Sequence, residues 1–130
     1  MLVSGIKLHV VKRYFLAVDL VDDPALIAAY EAHHREVWPE IKKSITDAGI
    51  TGMEICRVSN RLVMILETAD DFDFGKKAAM DAANPAVQKW EELMWKYQSA
   101  IPGGRPGEKW RLMDRIFSLQ GDRMSKENYR

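Results

Sequence analysis

Residues 30–41 read YEAHHREVWPEI, and they carry the side chains best suited to chemistry. Tyr30, His34 and Trp38 recur every fourth residue. On a helix that spacing stacks side chains along one face. An imidazole with an ordinary pKa near 6.5 gives and takes protons at neutral pH without a large shift. A phenol can orient a hydroxyl, and an indole offers a flat apolar face. That set makes His34, with Tyr30 and Trp38, the candidate for a pocket in which protons move on a small ligand. His33, next to His34, points about 100° away on an ideal helix, so the two do not readily serve one site. The adjacency also argues against metal binding, because chelation from a helix wants ligands three or four apart with a further carboxylate or histidine. The plainer alternative for His34 is a half-exposed or hydrogen-bonded helix residue.

A second aromatic cluster lies in QKWEELMWKY, with Trp90, Trp95 and Tyr97. Trp90 and Trp95 are five apart, so they face different ways and cannot both be core. The spacing favours core for Trp95 and leaves Trp90 open. Glu91 beside Trp90 adds a polar group of the kind that reads hydroxyls, the alternative being a solvated face.

These side chains need a scaffold, and the chain supplies one. RYFLAVDLV (13–21) reads as a largely buried strand. Asp23 can cap a helix with Pro24 in its first turn. A helical pattern with Leu26, Tyr30, Val37 and Ile41 near one stripe runs to about Ala48. Trp38-Pro39 breaks or kinks it, since the residue before proline resists helical angles. Ala48-Gly49 ends it. GMEICRVSN (52–60) and RLVMILETA (61–69) read as a hairpin turning at Ser59-Asn60. Residues 70–100 are helical, with a break at Asn84-Pro85 and a second piece from Pro85 to about Ser99. IPGGRPGEK (101–109) is a loop, and WRLMDRIFSL (110–119) is the last strand.

The order β-α-β-β-α-β predicts an α+β, ferredoxin-like fold with both helical segments on one face of an antiparallel sheet. The strands put apolar groups on both faces, so an isolated chain would expose a broad apolar patch. A homodimer, a dimeric α/β barrel, is therefore expected. The 130 residues form one domain, with a core of about 12–119 and tails at 1–11 and 120–130.

Composition narrows the function. Nineteen basic and nineteen acidic residues give zero formal net charge. That gives no electrostatic reason to bind nucleic acid or an anionic membrane. No run approaches the roughly 20 apolar residues that span a bilayer. No signal peptide is read at the start. The lone Cys56 excludes an internal disulfide framework, suits a cytoplasmic setting and reads as a small buried core residue. There is no GxGxxG, P-loop or Cys/His cluster, so neither a cofactor nor a metal is expected.

YEAHHREVWPEI, then GI at 49–50, RLVMILE and VQKWEELM, in this order resemble the L-rhamnose mutarotase family over roughly residues 12–119. The sharpest part is Tyr-x-x-x-His-x-x-x-Trp-Pro-Glu, matched by Tyr30, His34, Trp38, Pro39 and Glu40. The resemblance implies a cofactor-free cytoplasmic dimer that interconverts α- and β-anomers of 6-deoxy-L-hexoses. It places the proton donor at His34 and sugar contacts at Tyr30 and Trp90. The family's second adjacent tryptophan is Glu91 here, and a tyrosine contact falls near Met53. Both departures point away from L-rhamnose toward another 6-deoxyhexose, L-fucose first, with Glu91 accepting from a differently oriented hydroxyl. Trp38 would help Trp90 stack on the sugar. The alternatives are a cofactor-free monooxygenase or haem-degrading enzyme of the same fold type, and a non-catalytic sugar-binding module.

Overall fold

The computed structural model describes residues 11–121. Strand β1 (Lys12–Leu20) leads into helix α1 (Pro24–Arg35), α2 (Pro39–Asp47), β2 (Ile50–Val58) and β3 (Arg61–Thr68). Helices α3 (Phe74–Ala82) and α4 (Pro85–Trp95) follow, then two two-residue strands, β4 (Gln98–Ser99) and β5 (Arg111–Leu112). The helix starts obey local chemistry. The Asp23 carboxylate accepts from Ala25 N and Leu26 N at 2.9 and 3.1 Å. Asn84 accepts from Ala86 N at 3.0 Å, and proline occupies the first turn of α1, α2 and α4. Pro39 splits the long helical segment into α1 and α2, as the sequence predicts. Gly49 turns the chain into β2 at φ +96°, where a Cβ would be strained. Ser59 takes φ +54° in the tight turn of the β2–β3 hairpin.

The sheet order is β2-β3-β1-β4, with β5 also on β1, and every pairing is antiparallel. This is the ferredoxin-like order, with the edge strand in two pieces. Two expectations about that edge are corrected. The second piece of the late helical segment stops at Trp95, and Gln98–Ser99 pairs with Asp19 and Leu20 instead. The last strand is Arg111–Leu112 rather than 110–119, with Met113 N donating to Phe15 O at 2.7 Å. Ile116, Phe117 and Leu119 are 95%, 76% and 86% exposed. Among the described residues, the apolar run that suggested a strand finds nothing to pack on. Of the tails, residues 1–10, which include His9, and 122–130 lie outside the described residues.

Side chains alternate across the sheet, and residues opposite each other in an antiparallel pair share a face. Leu16, Val18, Leu62, Met64, Leu66, Met53 and Ile55 therefore face the helices. Val18, Leu20, Tyr30, Leu62 and Met94 form one buried cluster there; Tyr14, Ile50, Leu66 and Phe72 form another. Phe15, Ala17, Val63, Ile65, Cys56 and Val58 share the opposite face, on which no helix among the described residues lies; Ala17 is nonetheless buried there. Cys56 is exposed, which corrects its expected burial. Its hairpin alternates, and position 56 falls on the uncovered side.

Candidate active site

A cleft of about 450 Å³ opens between the sheet and the helices. Its floor includes Leu16, Met53, Ile55, Met64 and Leu66, and α1, α2, α3 and α4 all contribute to its walls. The four-residue spacing in α1 does what it predicts. The Tyr30 and His34 rings lie 4.3 Å apart between centroids, tilted by 34°, and both line the cleft. His34 meets the Trp90 ring edge-on at 5.5 Å, and Trp38 meets Trp90 at 5.1 Å. Four of the residues singled out in the sequence thus form one continuous aromatic array. Trp38 supports Trp90 from behind and is not itself part of the cleft lining.

The His34 Nδ1 lies 2.9 Å from the Tyr30 backbone oxygen. A carbonyl only accepts, so Nδ1 carries the hydrogen and Nε2 is the nitrogen with a lone pair to offer. Burial holds the His34 pKa below the usual histidine value; the Tyr30 carbonyl partly offsets this and His33 adds to it. His34 is therefore neutral at pH 7. Tyr30 is buried, and desolvation pushes its pKa up to about 12 against an opposing hydrogen bond from the Gln98 side chain. The phenol stays protonated, with its own hydrogen to donate.

His33 behaves as a different residue. Its Nε2 sits 3.2 Å from the Tyr97 hydroxyl, outside the cleft lining. Trp95, expected in the core, is 52% exposed at the rim of the cleft, with Lys109 Nζ 4.8 Å above its ring. It occupies the last helical position of α4, where the chain turns away and leaves one indole face uncovered. Glu91 is exposed and lines the cleft mouth. Partial burial raises its pKa, the Asp81 charge raises it further, and Lys77 works the other way.

Sequence reasoning missed three groups in the lining. Gln98 is buried and bonded to Tyr30, but it sits in a two-residue strand where a helix was expected. Lys77 and Asp81 also line the cleft. Their i,i+4 spacing was visible, although the same spacing marks ordinary surface pairs. Among the described residues no group of three or more His, Cys, Asp and Glu could hold a metal ion. No helix among them is long and apolar enough to cross a membrane.

The antiparallel α+β fold thus places a histidine beside a tyrosine and a tryptophan in an apolar cleft. The sequence then specifies the family. Residues 13–119 match the family model described as L-rhamnose mutarotase. The chain is 52% identical over 110 residues to an L-fucose mutarotase of Xanthomonas campestris pv. campestris, covering 83% of this chain and 88% of that one. It is 31% identical over 86 residues to an L-rhamnose mutarotase of Phocaeicola vulgatus, covering 64% and 78%. The crystal structure of an L-rhamnose mutarotase from Formosa agariphila superposes with a TM-score of 0.61 at 21% identity, over 83% of this chain and 98% of that one. The chain belongs to the L-rhamnose mutarotase family and is an isomerase of the mutarotase type. Family membership favours that expectation over the oxygen- and haem-handling alternatives.

Proposed function

We propose that this protein interconverts the α- and β-anomers of a 6-deoxy-L-hexose, with L-fucose the preferred sugar and His34 the proton-transferring group. The observation that carries the reading is the His34 environment: a neutral imidazole, fixed by the Tyr30 carbonyl, inside an aromatic-walled cleft. The preference for L-fucose rests on the 52% identical relative and on Glu91 at the cleft mouth.

Mutarotation breaks the bond between C1 and the ring oxygen and remakes it on the other carbonyl face. Nε2 takes the proton of the anomeric hydroxyl as that bond breaks and C1 becomes an aldehyde. The imidazolium then protonates the departing ring oxygen, so His34 serves the ring oxygen as general acid after acting as base. Rotation about C1–C2 and the reverse steps give the other anomer, with no net proton change. Both oxygens are attached to C1, so one nitrogen can reach each in turn. Tyr30 orients the sugar through its retained hydrogen. Trp90, backed by Trp38, stacks on the apolar ring face, and Glu91 accepts from a hydroxyl.

The apolar sheet face around Val63, Ile65 and Cys56, which no helix among the described residues covers, together with exposed Ile116, Phe117 and Leu119, supports a homodimer formed sheet to sheet. The proposed setting is the cytoplasm, and the proposed unit is a single domain with a core of about 12–119.

Exchange NMR on L-fucose and L-rhamnose tests the function, because it reads anomer interconversion directly. His34→Asn keeps a donor to the Tyr30 carbonyl and removes the proton shuttle. It is expected to lower the enzymatic rate about 10²–10⁴-fold with an unchanged unfolding midpoint. Full activity in that variant ends the assignment.

A further inference from the structure

Lys77 and Asp81 are joined by a direct ion pair along α3. Their side chains retain only 22% and 15% of their accessibility, and both line the cleft that holds His34. The chain contains its own control. Lys43 and Asp47 make the same i,i+4 pair on α2 at 74% and 49%. A surface pair of this kind stabilises a helix slightly and needs no further explanation. Withdrawing both charges from water is costly and is not repaid by one helical contact. Moreover, α3 has no fully buried residue, so the packing of its own body does not require the pair to be covered.

The pair is held in place. The Asp81 backbone oxygen accepts from Gln88 Nε2 at 2.9 Å, which ties the end of α3 to α4. Glu91, on α4, also lines the cleft and feels both charges, with Asp81 and Lys77 acting on it in opposite senses. Lys77, Asp81 and Glu91 thus form one charged wall with donors and acceptors side by side. His34 and Tyr30 enter from α1, and Trp90, next to Glu91 on α4, meets the His34 ring edge-on at 5.5 Å.

In a pyranose, the ring edge opposite the O5–C1 bond is C3–C4. If His34 serves O5 and the anomeric hydroxyl, the far edge of the ring presents its C3 and C4 hydroxyls. We propose that the Lys77–Asp81 pair, with Glu91, reads that C3–C4 diol and selects the cis arrangement. Asp81 accepts from the C4 hydroxyl and Glu91 from the C3 hydroxyl, and Lys77 donates to the C4 oxygen. L-Fucose has a cis C3–C4 diol, with an axial C4 hydroxyl; in L-rhamnose the same pair is trans. The proposal rests on the mutarotase reading above and adds to it the groups that discriminate between sugars.

The test is the ratio of kcat/KM for L-fucose to that for L-rhamnose, by exchange NMR, in four proteins. These are the natural chain, Asp81→Asn, Lys77→Met, and the double exchange of Lys77→Asp with Asp81→Lys. Hydrogen bonds to charged groups predict a fall of about 10- to 100-fold in that ratio for each variant, carried mainly by the KM for L-fucose. 4-Deoxy-L-fucose, which lacks one of the hydroxyls read, should lose little when Asp81 is changed. The double exchange restores an i,i+4 ion pair, so a purely structural role would recover with it. The proposed role predicts a recovered unfolding midpoint with the ratio still low. An unchanged ratio in the single variants, or one restored by the double exchange, overturns the proposal and leaves mutarotation standing. If the natural chain accelerates neither sugar, the mutarotase reading fails and this inference fails with it.

Discussion

The two faces of the sheet carry similar apolar side chains and come to opposite ends. On the helix side, Leu16, Met53, Ile55, Met64 and Leu66 become the floor of the cleft, because α1 to α4 cover part of the surface and leave a gap over the rest. On the other side, Val63, Ile65 and Cys56 share a face that no helix among the described residues covers. Ion pairs frame that patch. Arg13 bonds Glu67 at 3.3 Å at one end, and Arg61 bonds Asp19 at 2.6 Å at the other. An apolar centre inside a charged border is the layout of an interface, whereas an apolar floor under a few polar groups is the layout of a ligand site. Strand composition is the same in both cases; what differs is where the helices lie.

The sharpest way to break this comparison is Val63→Glu, between Ala17 and Cys56 on the uncovered face. A buried unpaired carboxylate at the centre of an interface should weaken a homodimer by about 2 kcal/mol or more, roughly 30-fold in Kd. Sedimentation should show a monomer in which His34 is still in place. An unaltered dimer would mean that the two copies meet elsewhere.

The pH profile sharpens the other side. Burial lowers the His34 pKa, and the working form is the neutral imidazole. The rate should therefore hold steady through neutral pH and fall only below about 6.5, the ordinary histidine value. A midpoint at or above that value would indicate a solvated histidine. Cys56 gives a smaller and purely structural readout. It is exposed in the single chain, so a sheet-to-sheet dimer should slow its alkylation in the native protein, and Val63→Glu should restore the faster rate. The least effect is expected from Lys43→Ala. Its exposed pair with Asp47 contributes only about 0.3–0.5 kcal/mol, read as a small shift in the unfolding midpoint without any change in sugar preference.

Much of the site was legible because it is local. Tyr30, His34 and Trp38 occupy one helical face, and period alone aligns them. The proline breaks and the caps Asp23 and Asn84 are chemistry within three or four residues, so they appear in the structure where the sequence puts them. The edge of the sheet was less legible. Gln98–Ser99 and Arg111–Leu112 are too short to show a strand period, and only pairing with β1 defines them. Trp95 misled for a related reason: helical spacing says which face a side chain takes, and says nothing of whether a neighbour covers it.

By itself the sequence determined the order of elements, the helix ends and the ladder of side chains around His34, since each depends on groups close along the chain. Only the tertiary structure decided that Gln98 reaches Tyr30, that His33 turns to Tyr97, and that Lys77 and Asp81 share a cleft with His34. Those meetings join residues up to 68 positions apart, as with Tyr30 and Gln98, and burial there raises the Tyr30 pKa. Neither distance nor desolvation can be read from spacing along a strand or a helix.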